Sequence, residues 1–379
     1  MENLQPIAKE GAIDTMPTHV KPQRGLSRIK PYAPGKPIEE VQREYGLEDV
    51  IKLASNENPL GPSPKAVAAV EQALSGVNLY PDAQSYYLRK ALAEHWGVEM
   101  EQVAVGNGAD GLIKQVCLAY LDDESEAIVS RSSFPVYDKC INITRATLIK
   151  TPLKDYGLDL DAMIAAITER TKLIFVCNPN NPTGTILLAD EVEAFMQKVP
   201  DRVLVVFDEA YYELVDSDDF PDSLRYIREG EGNVMTMRTF SKAYGIAGVR
   251  LGYAMATPEV LAPLFQVKGV FEVNLLAQAA GLGALEDEPF LQKTIEINSV
   301  GRRYLYGEFE RLGLNYVKSH GNFVLVEIGP RAVEIQEQLL AKGVIVRPCV
   351  NYDLPNFLRI SVGDQAQNTR MVEALESVL

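Results

Sequence analysis

The chain has 379 residues, 46% of them hydrophobic and 23% charged, which is enough apolar material for a sizeable core and chain enough for two or three domains. Fifty-two Asp and Glu against 37 Lys and Arg leave a formal charge of −15, which argues against a nucleic-acid binder built on a basic face and against a polybasic membrane-surface protein. Any anion that this protein binds must be held by a few cations focused in one place.

In chain order, residues 1–30 are polar, mixed in charge and aperiodic, and read as a flexible arm. The Pro- and Gly-rich stretch from Lys30 to Pro37 reads as extended chain. Ser63-Pro64 opens a helix, with a capping hydroxyl followed by Pro at the first helical position, and Gly76 ends it. A second helix runs from about Ser85 to Trp96 and stops at Gly97. Val103–Val105 reads as a short strand leading into Gly106-Asn-Gly-Ala-Asp110. Apolar residues at Ala109, Leu112, Ile113, Val116, Cys117 and Tyr120 then repeat at the spacing of a buried helical stripe.

Short apolar strands follow at Ala127–Val129, Ala146–Ile149, Leu173–Cys177, Val203–Phe207 and Val234–Met237, separated by helix-like stretches such as Ala189–Val199. Such runs between helices predict a parallel sheet covered on both faces. After about Pro258 the chain turns helical to Leu312, then gives Phe323–Ile328, a helix over Ala332–Lys342 and a strand at Phe357–Ile360. That suits a smaller α+β unit. The expected organisation is an arm at 1–30, a small domain from 31–62 with 280–379, and a large domain at 63–279.

The four cysteines (Cys117, Cys140, Cys177, Cys349) are scattered and contain no C-x-x-C pair, so reduced, buried thiols in a cytoplasmic protein are expected. The three histidines show no metal-ligand spacing. The N-terminus has no apolar core of a signal peptide, and no apolar run is long enough to span a bilayer.

Four segments carry chemistry: Gly106–Asp110, Asn178-Pro-Asn-Asn-Pro-Thr-Gly184, Asp208-Glu-Ala-Tyr211, and Thr239-Phe-Ser-Lys-Ala-Tyr-Gly-Ile-Ala-Gly-Val-Arg250. Each begins near the C-terminal end of a predicted strand, where open parallel sheets bind ligands. Alone, each is an ordinary turn, loop, cap or surface lysine. Together they make one site. The Gly-Ala-Asp turn offers backbone N–H groups at a helix N-terminus, suited to a phosphate. Lys242 stands among the hydroxyls of Thr239 and Ser241 and the guanidinium of Arg250. A lysine in phosphate-binding surroundings suggests pyridoxal phosphate, whose aldehyde needs a lysine Schiff base and whose ring nitrogen needs a carboxylate such as Asp208. Asn181 and Tyr211 would hydrogen-bond the ring's 3-oxygen, and Phe134, just past a strand, would stack on the ring face.

On these motifs the chain resembles the fold-type I pyridoxal-phosphate aminotransferases from about Gly25 to its C-terminus. Leu53-Ala-Ser-Asn-Glu-Asn-Pro-Leu-Gly61 and Leu358-Arg-Ile-Ser-Val-Gly363 resemble its histidinol-phosphate branch. The resemblance implies an α/β fold: a large domain whose mostly parallel sheet is sandwiched by helices, and a smaller α+β domain. It implies that Lys242 holds the cofactor and shuttles the proton, that Asp208 pairs with the pyridine nitrogen, and that Asn181 and Tyr211 contact the 3-oxygen. It gives the cofactor phosphate to Ala109, Asp110, Thr239, Ser241 and Arg250, with Tyr80 reaching the phosphate of a neighbouring subunit in a homodimer. Arg359 matches the arginine for the substrate's carboxylate or phosphate, and Arg347 and Tyr32 match further substrate-phosphate contacts. The expected reaction is transamination between histidinol phosphate and 2-oxoglutarate. The alternatives are an aromatic amino-acid aminotransferase and a decarboxylase of a phosphorylated amino acid.

Overall fold

The computed structural model describes residues 21–29 and 35–379. Tyr32 and most of the expected arm lie outside these residues. Within the arm, Arg24–Arg28 form a short 3₁₀ turn, and Gln23 donates to Ile143 O at 3.2 Å.

The strands, in chain order, are β1 (Ile51–Leu53), β2 (Val103–Gly106), β3 (Glu126–Ser130), β4 (Thr147–Thr151), β5 (Leu153–Lys154), β6 (Gly157–Leu158) and β7 (Thr171–Cys177). They continue with β8 (Leu204–Asp208), β9 (Val234–Thr239), β10 (Gly252–Ala256), β11 (Tyr316–Val317), β12 (Phe323–Glu327), β13 (Val344–Pro348) and β14 (Phe357–Ser361). One sheet has seven strands in the order β2-β10-β9-β8-β7-β3-β4. All its pairings are parallel except those of β10, which runs antiparallel to both neighbours. Separate apolar clusters cover its two faces, one centred on Ile174, Val205 and Phe207 and one on Leu173, Phe175 and Val206. Alternation along the strands sends neighbouring residues to opposite layers. A second sheet, in the order β1-β13-β14-β12-β11, has its own core around Leu305, Val324 and Leu358. The expected α/β architecture, a large mostly parallel sheet between helices and a smaller α+β part, is the one observed.

The start at Ser63-Pro64 is realised. The helix spans Pro64–Ala73, Ser63 Oγ accepts from Ala66 N, and a 3₁₀ turn carries the chain to Gly76. The second helix, Tyr86–Trp96, ends on Gly97 in the left-handed region at φ 62°. The striped helix spans Gly108–Tyr120 and buries Leu112, Ile113, Val116 and Cys117. The helical stretch after Pro258 resolves into three helices, Pro258–Val267, Leu275–Leu285 and Glu288–Arg311. Strand β10 was not anticipated, because Gly-Tyr-Ala-Met-Ala carries no alternation to distinguish it from the loop before it. The four cysteines are free and buried. Among the described residues no helix is long and apolar enough to cross a membrane.

Candidate active site

The parallel strands β7, β8 and β9 end side by side, and their C-terminal ends deliver three of the four motifs to one cavity. Strand β7 leads to Asn181, β8 ends on Asp208, and β9 ends on Thr239 just before Ser241 and Lys242. Because β10 runs antiparallel, it starts at this same end and brings Arg250 alongside. The fourth motif enters where β2 hands over to the helix Gly108–Tyr120. Loop residues 54–57, with Arg347 near the end of β13 and Arg359 in the middle of β14, close the cavity from the second sheet.

One end is an anion cradle. The helix beginning at Gly108 points its first backbone N–H groups and its positive dipole end into the cavity, where Ala109 and Asp110 lie. Gly108 adopts φ 73°, and a Cβ there would stand 2.5 Å from an Arg250 guanidinium nitrogen. A Cβ on Gly252 would stand 2.6 Å from Ala109 N. Glycine at 108 lets the guanidinium approach the backbone, and glycine at 252 lets β10 approach the start of the helix. Arg250 itself sits at φ 60°, a strained conformation for a residue with a Cβ. Its Nη1 donates to Ala247 O at 3.1 Å, and its Nη2 meets Asp110 Oδ2 at 3.3 Å. Thr239 Oγ1 lies 3.1 Å from Ser241 Oγ and accepts from Ser241 N at 3.1 Å, which gathers both hydroxyls beside the guanidinium.

At the centre stands Lys242. Its Nζ donates to Ser55 O at 3.0 Å. Burial, reinforced by the nearby Arg359 cation, pulls the amine down from 10.5 to about 8. Asp208 is buried, and burial pushes its carboxyl up from 3.8 to about 6, against the opposing pull of a hydrogen bond from Tyr137. Tyr137 donates to Oδ2 at 2.5 Å, whereas Oδ1 is buried with no hydrogen-bond partner among the described residues. A carboxylate with one satisfied and one orphaned oxygen is set to receive a cationic N–H.

Asn181 and Tyr211 are oriented as donors. Asn181 Oδ1 accepts from Arg359 Nη1 at 2.6 Å, which leaves its Nδ2 to donate. Tyr211 accepts at its hydroxyl oxygen from Asn56 Nδ2 at 2.9 Å, and burial raises its pKa, so the phenol keeps its proton. Phe134 lines the cavity and packs edge-on to Tyr137 at 5.7 Å between ring centroids.

At the far end Arg347 and Arg359 are cross-strand partners on β13 and β14, both buried and both lining the cavity. Arg359 also donates to Ala54 O at 2.6 Å and Tyr352 OH at 3.2 Å, which locks its direction. The two arginines stand at facing strand positions on the cavity wall, where an anion would meet two positive charges.

Of the residues singled out from sequence, the structure brings together Ala109, Asp110, Phe134, Asn181, Asp208, Tyr211, Thr239, Ser241, Lys242, Arg250, Arg347 and Arg359. Tyr80 does not line its own chain's cavity; it is 81% exposed and stacks on Phe271 at 4.4 Å. Tyr32 lies outside the described residues. Sequence reasoning missed Tyr137, Asn56 and Tyr352, which orient the motif residues from other elements. Tyr137 falls three positions after Phe134 at the start of the helix Val136–Thr144, and that spacing is its one local signal. It also passed over Glu209. That side chain points away from Asp208 and accepts from Arg238 at 2.9 and 2.7 Å. The Arg238 guanidinium lies 3.9 Å from the Trp96 ring centroid and 3.4 Å from that of Tyr212. This buried pair ties β8 to β9 beneath the cavity.

The family model for class I and II aminotransferases matches residues 48–375. A histidinol-phosphate aminotransferase from Moorella thermoacetica is 47% identical over 376 residues, covering 99% of this chain and 97% of that protein. One from Akkermansia muciniphila is 47% identical over 351 residues, covering 92% and 96%. The crystal structure of histidinol-phosphate aminotransferase from Sinorhizobium meliloti in complex with pyridoxal-5'-phosphate superposes with a TM-score of 0.84 at 30% identity, covering 93% of this chain and 97% of that one. With the family model spanning most of the chain and these relatives spanning nearly all of it, the chain belongs to the class I and II aminotransferases.

Proposed function

We propose that this chain is a pyridoxal-phosphate-dependent aminotransferase that transfers the amino group of histidinol phosphate to 2-oxoglutarate, giving imidazole-acetol phosphate and glutamate in histidine biosynthesis. The observation that carries the reading is that Lys242 shares one cavity with two stations for anions. One is the helix N-terminus with Thr239, Ser241 and Arg250; the other is the Arg347–Arg359 pair. A phosphorylated cofactor needs the first, and a phosphorylated or carboxylated substrate needs the second. The names of the relatives supply the choice of substrate.

The residues fit pyridoxal phosphate. The orphaned Oδ1 of Asp208 suits a protonated ring nitrogen, the paired donors of Asn181 and Tyr211 suit an anionic 3-oxygen, and Phe134 suits a ring face. When bound, the cofactor supplies an electron sink for the pair left behind when the substrate's Cα–H bond breaks. The chain supplies the rest. Lys242 Nζ would anchor the cofactor and serve as the base at Cα, and in the cofactor-free chain burial already disfavours its charged form. Asp208 keeps the ring nitrogen protonated, and Tyr137 keeps Asp208 in place. Arg359, assisted by Arg347, orients the donor's phosphate and, in the other half-reaction, the carboxylate of glutamate.

The same reading makes the working unit a homodimer. Tyr80 stands beside other exposed apolar side chains, Leu79, Val270 and Phe271 among them, in a patch of the kind that marks protein contacts. A neighbouring copy docked there would accept Tyr80 at its cofactor phosphate. Sedimentation equilibrium should return twice the chain mass of 41.9 kDa, and a monomer at micromolar concentration with full activity would refute this assembly. The two sheets with separate cores support the division into 63–279 and 31–62 with 280–379. Four buried thiols suit a cytoplasmic enzyme.

Steady-state kinetics test the substrate. Histidinol phosphate should be the donor with the highest kcat/KM. If phenylalanine or tyrosine surpassed it by orders of magnitude, the protein would be an aromatic aminotransferase on the same scaffold. Release of carbon dioxide without consumption of 2-oxoglutarate would make it a decarboxylase.

A further inference from the structure

The substrate's reacting carbon has two arms. One ends in phosphate and goes to Arg347 and Arg359; the other ends in an imidazole ring, which none of the residues assigned above receives. We propose that the Glu57 carboxylate accepts the imidazole N–H and thereby selects an imidazole donor over a phenyl one. The inference rests on the histidinol-phosphate reading.

The loop after β1 runs along the cavity wall, and its polar groups are nearly all committed. Ser55 O accepts from Lys242. Asn56 donates its backbone N–H to Ser361 Oγ at 2.9 Å and its Nδ2 to Tyr211, while its Oδ1 and backbone O accept from Ser361 and Asn322 at 3.0 and 2.9 Å. Glu57 lines the same cavity. Its Oε1 accepts from Lys52 Nζ at 2.8 Å, and its Oε2 has no partner among the described residues. Among the described residues the cavity has two other carboxylates. Asp208 is held by Tyr137, with its second oxygen facing the ring-nitrogen position, and Asp110 meets Arg250. The hydroxyl of Tyr352 already accepts from Arg359. Among the described residues, Glu57 is therefore the one carboxylate of the cavity wall left for a substrate ring, and it is close enough to Lys242 to act on the charge of its amine.

A neutral imidazole carries one N–H donor and an imidazolium two; a phenyl ring has none. A carboxylate accepting from either form makes a charge-assisted hydrogen bond. Against phenyl it would lose hydration and gain no bond, and this asymmetry is how polar pockets reject apolar analogues.

The test compares holoenzymes of the native protein, Glu57→Leu, Glu57→Gln and Lys52→Met, with histidinol phosphate and phenylalanine as donors. Removing a hydrogen bond to a charged group should lower kcat/KM for histidinol phosphate by roughly 10- to 100-fold in Glu57→Leu, mainly through KM. Phenylalanine should be unaffected or improved. Glu57→Gln keeps an acceptor oxygen and should lose less than Glu57→Leu. Lys52→Met leaves the carboxylate and should retain most of the activity. An unchanged cofactor absorbance in each variant shows that the fold and the cofactor site persist. Equal losses on both donors, no loss on either, or a Lys52→Met loss as large as that of Glu57→Leu would overturn the proposal. A native enzyme that ignores histidinol phosphate would refute the function itself, whereas one that uses it equally well without Glu57 would refute only this assignment.

Discussion

Replacing Lys242 with Ala should lower transamination by roughly 10⁴-fold or more, because one side chain is both the covalent anchor and the base. The cofactor's absorbance band in the visible or near-ultraviolet should disappear or shift to that of unlinked cofactor. A variant that retained the band and measurable turnover would show that another amine holds the cofactor. The electrostatics give a second readout, in the cofactor-free protein. Burial and the Arg359 cation lower the Lys242 amine to about 8, so labelling of this residue by an amine-reactive reagent should titrate near 8 and not near 10.5. The sign follows from desolvation, which penalises the charged form. In the fold the ammonium loses its proton earlier than in the unfolded chain. The cost of holding it charged is full below about 8 and fades as pH rises from there towards 10.5. Labelling with a midpoint at the ordinary lysine value would contradict this placement.

Asp208→Ala should be the second most damaging change. Taking one partner from a buried ion pair costs about 3–5 kcal/mol, which corresponds to roughly 10²- to 10³-fold or more in cofactor affinity or kcat. Asp208→Asn tests the charge separately from the volume, because the amide fills the space but cannot hold a proton on the ring nitrogen. Both variants should remain folded, since among the described residues Asp208 has only Tyr137 as a side-chain partner and its second oxygen is unsatisfied without a ligand. In the cofactor-free native protein, burial raises this carboxyl from 3.8 to about 6, so the fold binds its proton more tightly than the unfolded chain does. Its contribution to stability is complete below 3.8 and is lost as pH climbs through about 6. Cofactor binding should reverse that slope, because a cationic ring nitrogen favours the ionised carboxylate. Thermal unfolding against pH, with and without cofactor, measures this. Identical slopes in both forms would mean that Asp208 does not meet a cation.

The net charge of −15 proves a poor guide to this ligand chemistry. An acidic protein builds a positive cavity by local means. The cradle uses a helix N-terminus and one guanidinium, and the second station stacks two arginines across one strand pair. Asp110 answers Arg250 inside the cavity, but Arg347 and Arg359 are buried there, and most other carboxylates are at the solvated surface, where screening weakens their reach.

Much of the site was legible from the sequence because the sheet is parallel. In such a sheet each strand ends at the same edge, so short motifs that follow apolar runs must converge. Asn181, Asp208 and Lys242 follow or end β7, β8 and β9, which are adjacent in space and consecutive in the chain. The helix starts at Ser63 and Gly108 and the buried strand cores were legible for a related reason, since capping and periodicity are local and do not depend on partners. The ends of strands were less so. Backbone pairing carries β3, β7 and β9 past their apolar residues, to Ser130, back to Thr171 and on to Thr239.

The residues from distant segments that turn those motifs into an oriented site are set by the folded chain alone. Asn56 reaches Tyr211 across 155 positions, and Arg359 reaches Asn181 across 178. Such hydrogen bonds leave no periodicity, because they join segments whose sequences are patterned for the apolar clusters they pack into. The facing of Arg347 and Arg359 depends on the register between β13 and β14, and a slip of one residue would send one of them to the other face. The bond from Tyr137 to Asp208 depends on a helix seated over β7, where the Tyr137 ring stacks on Phe175 at 4.6 Å. Local motifs at strand ends name the groups that carry the chemistry. Packing decided their direction, their proton affinity and the carboxylate left facing the substrate, because burial and partner choice are properties of the assembled fold.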